Sequence, residues 1–190
     1  DAVIVSDIGL IAKIHESAPE LEIHVSTQAN CQNYNSANVY WAMGAKRVVL
    51  ARELSLDEIR EIRQNTPAEL ELEAFVHGAI CMSYSGRCVI SNYLTDRDAN
   101  HGECSQPCRL PYDLKDERGR PIMAGKHLLS VRDMDLSDDL EALIDAGICS
   151  FKIEGRLKDV RYIKNVVNYY RRRIDNILER RKDICRPSLG

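Results

Sequence analysis

The feature that most constrains the fold of this chain is an alternation of short β-branched runs with segments of helical periodicity. Four of the runs are predicted to be strands: Ala2–Val5, Ile23–Ser26, Arg47–Leu50 and Leu70–Val76. The segments between them are predicted to be helices: Ile8–His15, Ser36–Met43 and Leu56–Arg63. Apolar strands separated by amphipathic helices are typical of parallel βαβ units. The pattern fits a segment of a (β/α)₈ barrel or a doubly wound sheet, and periodicity alone does not separate the two.

The regular pattern stops at residue 78 and returns near residue 131. Glycine, cysteine, asparagine and proline dominate the segment between, where only Tyr112–Leu114 is predicted as a strand. The elements predicted after it are a helix at Leu136–Ala146, a strand at Ser150–Ile153 and a closing helix at Asp159–Arg181. We therefore predict a single α/β domain over residues 1–190, made of βα units at 1–77, a cysteine-rich metal-binding region at 78–130, and a closing βα unit and helix at 131–190.

Composition excludes several classes of protein. A formal net charge of −3 and a pI near 6.0 argue against a uniformly basic nucleic-acid coat, although a local basic patch stays open. No run approaches the roughly 20 apolar residues that a membrane helix requires, and the first residues do not resemble a signal peptide. We therefore expect a cytoplasmic protein without a membrane partner. In a reducing compartment, the seven cysteines are expected to bind metal, act in catalysis or be buried, rather than form disulfides.

Four of the cysteines cluster within 28 residues. They are Cys81, Cys88, Cys104 and Cys108, separated by 6, 15 and 3 residues. Four thiolates suit either tetrahedral zinc or a 4Fe–4S cluster. Metal ligation would also supply folding free energy that this polar, glycine-rich segment lacks. The alternative is that the four cysteines are buried independently. The spacings match neither a zinc knuckle nor a ferredoxin, so they predict a metal without identifying it.

Polar side chains follow the predicted strands, at the position where parallel barrels place their active sites. These are Gln28 and Asn30 after the second strand, Arg52 and Glu53 after the third, His77 after the fourth, and Lys152, Glu154 and Arg156 at the last. Such groups suit an anionic small molecule or a nucleotide, because Arg binds carboxylate and phosphate with paired hydrogen bonds. The predicted substrate-binding residues are Gln28, Asn30, Arg52 and Glu53. The predicted catalytic residues are His77, Lys152, Glu154 and Arg156.

The catalytic candidates also have structural interpretations. Lys152 and Glu154 alternate with apolar residues, so both project from one side of their strand, and they are equally typical of an ion pair inside a barrel. His77 is predicted to be a general base or a neutral orienting group, with a purely structural histidine as the alternative. The arginines of the closing helix, Arg171 and Arg181 among them, are predicted to form a solvated face rather than an RNA contact.

Three segments resemble the peptidase U32 family. They are Glu73–Cys81 continued by Ser85–Cys88 and Ser91, then Arg97–Asn100 with Gly102 and Cys104, and finally Phe151–Arg156. The resemblance covers nearly the whole chain, and the combined segments are highly specific. It implies that the chain is the C-terminal half of a (β/α)₈ TIM-type barrel with a long cysteine-rich insertion. By this resemblance the chain is a fragment of a larger protein, with a further half-barrel before Asp1.

The resemblance also implies a function. The family is catalogued as peptidases, but Ser26–Asn30 and Arg52–Ser55 look most like a branch that hydroxylates tRNA uridine at C5 with prephenate as co-substrate. By resemblance, the cluster-binding residues are Cys81, Cys88, Cys104 and Cys108, which would hold a 4Fe–4S cluster, or zinc in an isolated fragment. The arginines that flank them, Arg87, Arg97 and Arg109, are predicted to contact tRNA, or rRNA as in another branch. They are equally suited to tuning the charge of a cluster.

Two other functions stay open at this point. One is a peptidase, although the sequence has neither a Gly-x-Ser-x-Gly elbow nor a His-Glu-x-x-His helix. The other is a structural zinc domain that scaffolds a partner. The sequence specifies neither the RNA position, nor the hydroxyl donor, nor the oligomeric state, and it leaves open whether the chain is active alone.

Overall fold

The computed structural model describes residues 1–155 and 158–181, which form two compact units. The sheet unit comprises Asp1–Ala79 and the described residues from Asp133 onward. The cysteine unit comprises Ile80–Arg132 and contains the four clustered cysteines. In chain order, the strands and helices are β1 (Ala2–Val5), α1 (Ile8–Ser17), β2 (Glu22–Val25), α2 (Tyr34–Ala42), β3 (Ala45–Val49), α3 (Leu56–Gln64), β4 (Glu71–Gly78), α4 (Ile90–Thr95), β5 (Tyr112–Lys115), β6 (Pro121–Lys126), β7 (Met134–Asp135), α5 (Leu140–Asp145), β8 (Ser150–Ile153) and α6 (Val160–Arg180).

The sheet unit is built on a six-stranded sheet in which β1, β2, β3, β4 and β8 are parallel neighbours in that order. The remaining strand, β7, pairs antiparallel with the end of β4, at His77 and Gly78. A doubly wound sheet reverses its strand order at a switch point. Five successive strands without such a reversal favour a singly wound sheet. The predicted α/β fold with a parallel sheet is therefore confirmed.

The two faces of the sheet differ in chemistry. One face packs against the helices and forms the apolar core, in which Ile23, Val48 and Leu72 meet Ile11 and Ile62. Because successive strand residues point to opposite faces, the residues between them form a second face. That face is charged, and it carries His24, Arg47, Glu71, Glu73 and Lys152. The sheet therefore presents one face to its helices and keeps its ionisable groups on the other.

Polar side chains fix where the helices begin. The carboxylates of Asp7 and Asp159 accept hydrogen bonds from the first turns of α1 and α6. At α3, Ser55 and Glu58 form the capping box that their spacing indicates, since each side chain accepts a hydrogen bond from the backbone N–H of the other. Among the described residues, no helix combines the length and apolar character needed to cross a membrane.

Three arginines, two in α6 and one at its C-cap, form ion pairs, and the predicted choice of a solvated face over an RNA contact stays a prediction. Arg173 pairs with Asp138, and Arg180 and Arg181 pair with Glu141 on α5. The distances are 2.6 Å for Arg173 Nη2 to Asp138 Oδ1 and 2.6 Å for Arg181 Nη2 to Glu141 Oε1. These ion pairs join α6 to α5 and to Asp138, which lies just before α5. The arginines therefore have partners within the sheet unit.

The predicted helix at Leu136–Ala146 is shorter in the structure, because α5 begins at Leu140. The backbone nitrogen of Leu136 donates to the carbonyl oxygen of Val76, and that of Ser137 donates to the Asp135 carboxylate. Leu136 therefore still continues the pairing of β7 with β4, and residues 137–139 form a turn, closed by a hydrogen bond from the Asp139 nitrogen to the Leu136 carbonyl, before α5 begins. Tertiary pairing overrides the local apolar periodicity here.

The cysteine unit contains more regular structure than the sequence predicted. Strands β5 and β6 form a hairpin, whose turn is held by the Asp116 carboxylate through the backbone nitrogens of Arg118 and Arg120. Every residue of β6 is exposed, so the strand lacks the alternation that would have revealed it. Helix α4 has six residues, too few to show a helical period. It carries the fully buried Ser91, whose hydroxyl accepts from the Ser105 nitrogen.

Replacing Gly78 with Ala is expected to destabilise the sheet unit more than Gly44→Ala. Both glycines have positive φ, +105° and +89°, which costs an L-residue about 1–2 kcal/mol. A Cβ at position 78 would also overlap the backbone carbonyl of Glu154, which is fixed by sheet pairing, and such overpacking costs about 1–3 kcal/mol. At position 44 the obstacle is the exposed His15 side chain, which is free to rotate away. Urea unfolding of both variants measures the difference; equal losses would contradict the overlap.

Candidate functional site

The carboxyl ends of β3, β4 and β8 bring together three of the predicted site residues. The Arg52 guanidinium carbon lies 3.9 Å from the centre of the Phe75 ring, a cation–π contact. Its Nη2 atom is 3.6 Å from Glu154 Oε2, and Lys152 Nζ lies 5.5 Å from the centre of the same ring. Two cations thus lie near one aromatic ring, and one of them is paired with a carboxylate. This combination suits recognition of a planar or anionic ligand.

A buried carboxylate connects the charged residues of the sheet. The Oε1 atom of Glu73 lies 3.2 Å from Lys152 Nζ, and its Oε2 atom lies 3.2 Å from Arg47 Nη1 and accepts from Ser150 Oγ at 2.8 Å. Burial opposes ionisation of Glu73, but Lys152, Ser150 and Arg47 outweigh it and lower the pKa of the carboxyl. Lys152 and Glu154 therefore both form ion pairs within the sheet unit, each with a different partner. Their catalytic roles stay predictions.

His77 lies at the end of β4 between two tyrosines of α6. Its Nε2 atom is 3.0 Å from the Tyr162 hydroxyl and its Nδ1 atom is 3.3 Å from the Tyr170 hydroxyl. The Tyr170 hydroxyl in turn donates towards the Asp135 carboxylate and the Val76 carbonyl, both at 2.9 Å. Both ring nitrogens of His77 thus have fixed partners, which is the arrangement expected of a histidine that orients or transfers a proton.

The remaining predicted site residues are less closely grouped. Gln28 and Asn30 lie in and just after a short 3₁₀ turn that follows β2, and Asn30 Oδ1 accepts from Gln32 Nε2 at 2.7 Å. Glu53 is exposed in the turn after β3. Arg156 lies outside the described residues. The substrate-binding roles of the first three and the catalytic role of Arg156 stay predictions.

A cavity of about 290 Å³ lies in the sheet unit beside Arg52. Its walls are mainly apolar and include Leu50, Phe75 and Leu143, while Arg52 and Asp139 are its charged lining residues. Small-molecule sites typically combine apolar walls with a few polar groups that fix the orientation of the ligand. The cavity therefore suits a small molecule with an apolar body and an anionic group.

In the cysteine unit, backbone nitrogens point at the clustered sulfur atoms. The Ser83 nitrogen lies 3.4 Å from Cys81 Sγ, and the Gln106 nitrogen lies 3.3 Å from Cys104 Sγ. In both cases the donor is two residues after the cysteine. Hydrogen bonds of this kind stabilise thiolate ligands and tune the metal that they bind.

The other two thiols have opposite pKa shifts. Burial opposes ionisation of Cys88, but the Ser83 hydroxyl and two backbone N–H groups of α4 outweigh it and lower the pKa of Cys88. Burial raises the pKa of Cys108, and the nearby Cys81 and Cys104 sulfurs raise it further against the opposing charge of Arg109. Cys108 therefore interacts electrostatically with two of the other candidate ligands.

These observations fit a thiolate-bound metal by donor chemistry. All four thiols are half-buried and lie within one compact unit, and none forms a disulfide. In the part of the chain that the structure describes, no three His, Cys, Asp or Glu side chains already adopt an arrangement that could hold a metal ion. The match is therefore one of ligand type and of hydrogen bonds to sulfur, without a coordination geometry.

The three arginines near the cysteines have different surroundings. The Arg109 guanidinium donates to Ile80 O at 2.9 Å and to Ser130 Oγ and Val131 O, each at 2.7 Å. These bonds tie the two ends of the cysteine unit together, so Arg109 has a structural role. Arg87 and Arg97 are exposed and remain available to a partner. RNA contact by any of the three stays a prediction.

The sequence pattern did not point to Asp135, Tyr162 or Tyr170. The two tyrosines belong to the closing helix and lie 85 and 93 residues after His77 in the sequence. Tyrosines on the core-facing side of a helix are a usable signal, because a buried hydroxyl normally finds a hydrogen-bond partner. The identity of that partner is not contained in the local sequence.

Comparison with known proteins gives the class of this chain. Residues 1–189 match the model of peptidase family U32. The chain is 50% identical, over its whole length, to 28% of an Escherichia coli 23S rRNA 5-hydroxycytidine synthase. It is 41% identical, over 91% of its length, to 42% of a Bacillus subtilis protein named tRNA hydroxylation protein P1. A Methanocaldococcus jannaschii relative named as an uncharacterized protease is 43% identical over 94% of the chain and 45% of its own length.

A solved structure of a U32 peptidase is also similar, with 23% identity and a TM-score of 0.37 over 42% of this chain and 32% of that chain. The chain thus spans less than half the length of the curated relatives described above. The fold defines this chain as an α/β protein. It has one unit built on a parallel sheet and a second unit that carries four clustered cysteines. The chain belongs to the peptidase U32 family.

Proposed function

We propose that this chain is part of a cytoplasmic enzyme that hydroxylates a pyrimidine of RNA at C5. The observation that carries the proposal is the 50% identity, without loss of any part of the chain, to a protein named for making 5-hydroxycytidine in 23S rRNA. The tRNA hydroxylation relatives support the same reaction class on a second kind of RNA. We propose tRNA uridine as the substrate because Ser26–Asn30 and Arg52–Ser55 resemble the tRNA branch and tRNA hydroxylation proteins are among the relatives. An rRNA cytidine, which the 50% identity favours, is the alternative within the same reaction.

The singly wound parallel sheet is proposed to be the C-terminal half of a (β/α)₈ barrel with the cysteine unit as an insertion. In such a barrel, one sheet face packs on the helices and the other lines the interior. The charged face with Arg47, Glu73 and Lys152 would then face that interior. Arg52, His77 and Glu154 would lie at the carboxyl end of the barrel, where such folds place their active sites.

Cys81, Cys88, Cys104 and Cys108 are the proposed ligands of a 4Fe–4S cluster. A bound cluster supplies electron transfer. The protein contributes the backbone N–H groups of Ser83 and Gln106, which bond to the sulfur atoms of Cys81 and Cys104 as donors around a metal-bound sulfur do. Zinc in the same ligands is the alternative, and it would make the cysteine unit a structural scaffold. Metal analysis separates the two, as set out in the Discussion.

The cavity beside Arg52 is the proposed site of a small co-substrate, which the family resemblance suggests is prephenate. Support comes from its volume of about 290 Å³, its apolar walls and its single guanidinium. Gln28, Asn30 and Glu53 complete the proposed set of substrate-binding residues at the neighbouring strand ends. For the RNA, Arg87 and Arg97 are the proposed phosphate contacts, because both are exposed in the cysteine unit.

Peptide hydrolysis is the weaker candidate, although one relative is named as a protease. A peptidase needs an activated nucleophile next to a base, or a metal with an open position. Among the described residues, the ring nitrogens of His77 face tyrosine hydroxyls rather than a serine or cysteine. The four clustered thiols are better suited to holding a metal than to attacking a carbonyl.

The function is tested by mass spectrometry of RNA nucleosides. The protein that carries this chain is expressed in cells that lack their own RNA pyrimidine hydroxylases, and the tRNA and 23S rRNA pools are separated before digestion. We expect one pool to gain a pyrimidine nucleoside heavier by one oxygen atom. Uridine in tRNA supports the main proposal, and cytidine in 23S rRNA supports the alternative substrate. If neither pool changes while the protein is folded and metal-loaded, the proposed function is wrong.

A further inference from the structure

A chain of hydrogen bonds links an ionised carboxylate to the hydroxyl of a half-buried tyrosine in the sheet unit. It runs from Asp135 on β7 through Tyr170 on α6 to His77 on β4, and then to Tyr162 in the first turn of α6. Tyr170 is fully buried, whereas Tyr162 is only half-buried. Tyr162 is therefore the outer end of the chain.

The positions of the hydrogen atoms follow from counting donors. The Tyr170 hydroxyl has one hydrogen, and two neighbours at 2.9 Å, the Asp135 carboxylate and the Val76 carbonyl, are acceptors that do not donate. That hydrogen is used there, so at the contact with His77 the ring nitrogen must donate. Neutral His77 then carries its proton on Nδ1 and has a bare Nε2. The bare Nε2 accepts the hydrogen of the Tyr162 hydroxyl 3.0 Å away.

The charges around the chain are consistent with this assignment. Burial opposes ionisation of Asp135, but hydrogen bonds from Ser137 and Tyr170 and the nearby His77 outweigh it and lower the pKa of the carboxyl. Burial and the Asp135 carboxylate raise the pKa of Tyr170, so its hydroxyl keeps its proton. Within residues 1–155 and 158–181, the other charged group facing the chain of hydrogen bonds is Lys158, whose Nζ lies 5.1 Å from the centre of the Tyr162 ring and 4.0 Å from an Asp133 oxygen.

We propose that Tyr162 is the proton-transferring residue of the reaction, with His77 as its base and Asp135 and Tyr170 as positioning residues. This inference rests on the proposed function. Hydroxylation at C5 is a two-electron oxidation, and the inference is made for an electrophilic oxygen donor of the peroxide class. The electron pair of the C5=C6 bond forms the C5–O bond while the O–O bond of the donor breaks and its leaving group takes that electron pair. C5 then carries both hydrogen and oxygen, so its hydrogen must leave as a proton. The ring keeps the electron pair of the C5–H bond when it becomes aromatic again.

The transfer is balanced within the chain of hydrogen bonds. The Tyr162 oxygen accepts the C5 proton while its own hydrogen passes to Nε2 of His77, so the phenol is unchanged and the histidine becomes an imidazolium. The Asp135 carboxylate, with an oxygen 4.0 Å from Nδ1, stabilises that positive charge. Release of the proton from Nε2 to solvent restores the neutral ring. This arrangement resembles a catalytic triad, in which a carboxylate, an imidazole and a hydroxyl act together.

Tyr162→Phe is expected to lower the turnover number of RNA hydroxylation about 100-fold, the lower end of the range for general acid–base catalysis, with little change in KM. The matched control is Tyr169→Phe. Tyr169 lies one residue before Tyr170, but its hydroxyl donates to Ser137 and accepts from Arg173. The unmodified protein and the control should have the same turnover number and the same KM. A large loss of turnover number at unchanged KM is not expected of a merely structural tyrosine. Unchanged turnover in Tyr162→Phe would overturn the proposal.

Nitrogen-15 NMR of the histidine rings tests the same chain without any activity. His77 is expected to show a neutral ring protonated at Nδ1, and Tyr162→Phe should shift the Nε2 resonance while leaving Nδ1 protonated. A ring protonated at Nε2 contradicts the assignment. If the unmodified protein hydroxylates no RNA but shows the expected tautomer, the proposed function fails and the hydrogen-bond chain stands. If it hydroxylates RNA and Tyr162→Phe is fully active, the proposed function stands and the proton-transferring role of Tyr162 fails.

Discussion

Protein with Cys104→Ser, purified without oxygen, should contain almost no iron or inorganic sulfide, whereas the unmodified protein should contain about four of each per chain, the composition of a 4Fe–4S cluster. The reason is that a cluster of this type needs all four thiolates, and a serine hydroxyl is a poor ligand for it. The broad visible absorption of the cluster should be lost in parallel. The cysteine unit should also become more sensitive to proteolysis, because ligation contributes to the folding free energy of a segment with little apolar core.

Cys149→Ser is the matched control. Cys149 is also a half-buried free thiol, but it lies in the sheet unit, where its Sγ donates to the Leu72 carbonyl at 3.5 Å. A serine can make a similar bond, so iron content should not change. Stoichiometric zinc without sulfide in the unmodified protein would favour the scaffold alternative. Full iron content in Cys104→Ser would remove Cys104 from the ligand set.

The strands of the sheet unit were the most predictable part of the fold. Strands β1 and β8 have the predicted bounds, Ala2–Val5 and Ser150–Ile153, because each is a short run that contains β-branched or aromatic residues. The start of α3 was equally readable, since Ser55 and Glu58 form their bonds within four residues. Local physical chemistry decides all three features. The pattern of the sequence was therefore sufficient for them.

Features that depend on distant residues could not be read in this way. The start of α5 moved because Leu136 bonds to Val76, 60 residues earlier, which no helical period records. Likewise, the position of His77 at a strand end was predictable, but its partners Tyr162 and Tyr170 follow from how α6 packs on the sheet. Lys152 was expected to project from the same side as Glu154, yet its ion-pair partner, Glu73, is set by strand order.

The cysteine unit shows most clearly what the sequence alone does not predict. Clustering of Cys81 and its three counterparts was visible in the sequence, because thiols at close spacing are rare in a polar segment. The hydrogen bonds from Ser83 to Cys81 and from Gln106 to Cys104 were not, since they depend on the turn conformation after each cysteine. The positive φ of Gln106, 57°, is one such conformation. Side-chain type predicts which chemistry is possible, and the backbone decides where the donors point.

Glu73→Gln is expected to lower the free energy of unfolding at neutral pH by about 2–3 kcal/mol. The substitution keeps the shape of the side chain but removes the negative charge that forms ion pairs with both Lys152 and Arg47. Breaking a fully buried pair costs about 3–5 kcal/mol and an exposed pair contributes about 0–1 kcal/mol. Glu73 is 4% exposed, but Lys152 is partly exposed and Arg47 keeps a second partner in Glu71, which places the loss between those limits. Denaturant unfolding measures it.

A matched control and the pH dependence test whether the carboxylate charge of Glu73 is the cause of the expected loss of stability. Glu71→Gln alters a more exposed carboxylate of the same strand, so it should cost no more than about 1 kcal/mol. The pKa of Glu73 in the folded protein lies below its ordinary value of 4.5. Its contribution is therefore fully present above pH 4.5 and is lost as the pH falls through the folded-state pKa. The difference between Glu73→Gln and the unmodified protein should shrink in acid, and a constant difference from neutral pH into strong acid would show that the charge of Glu73 is not its source.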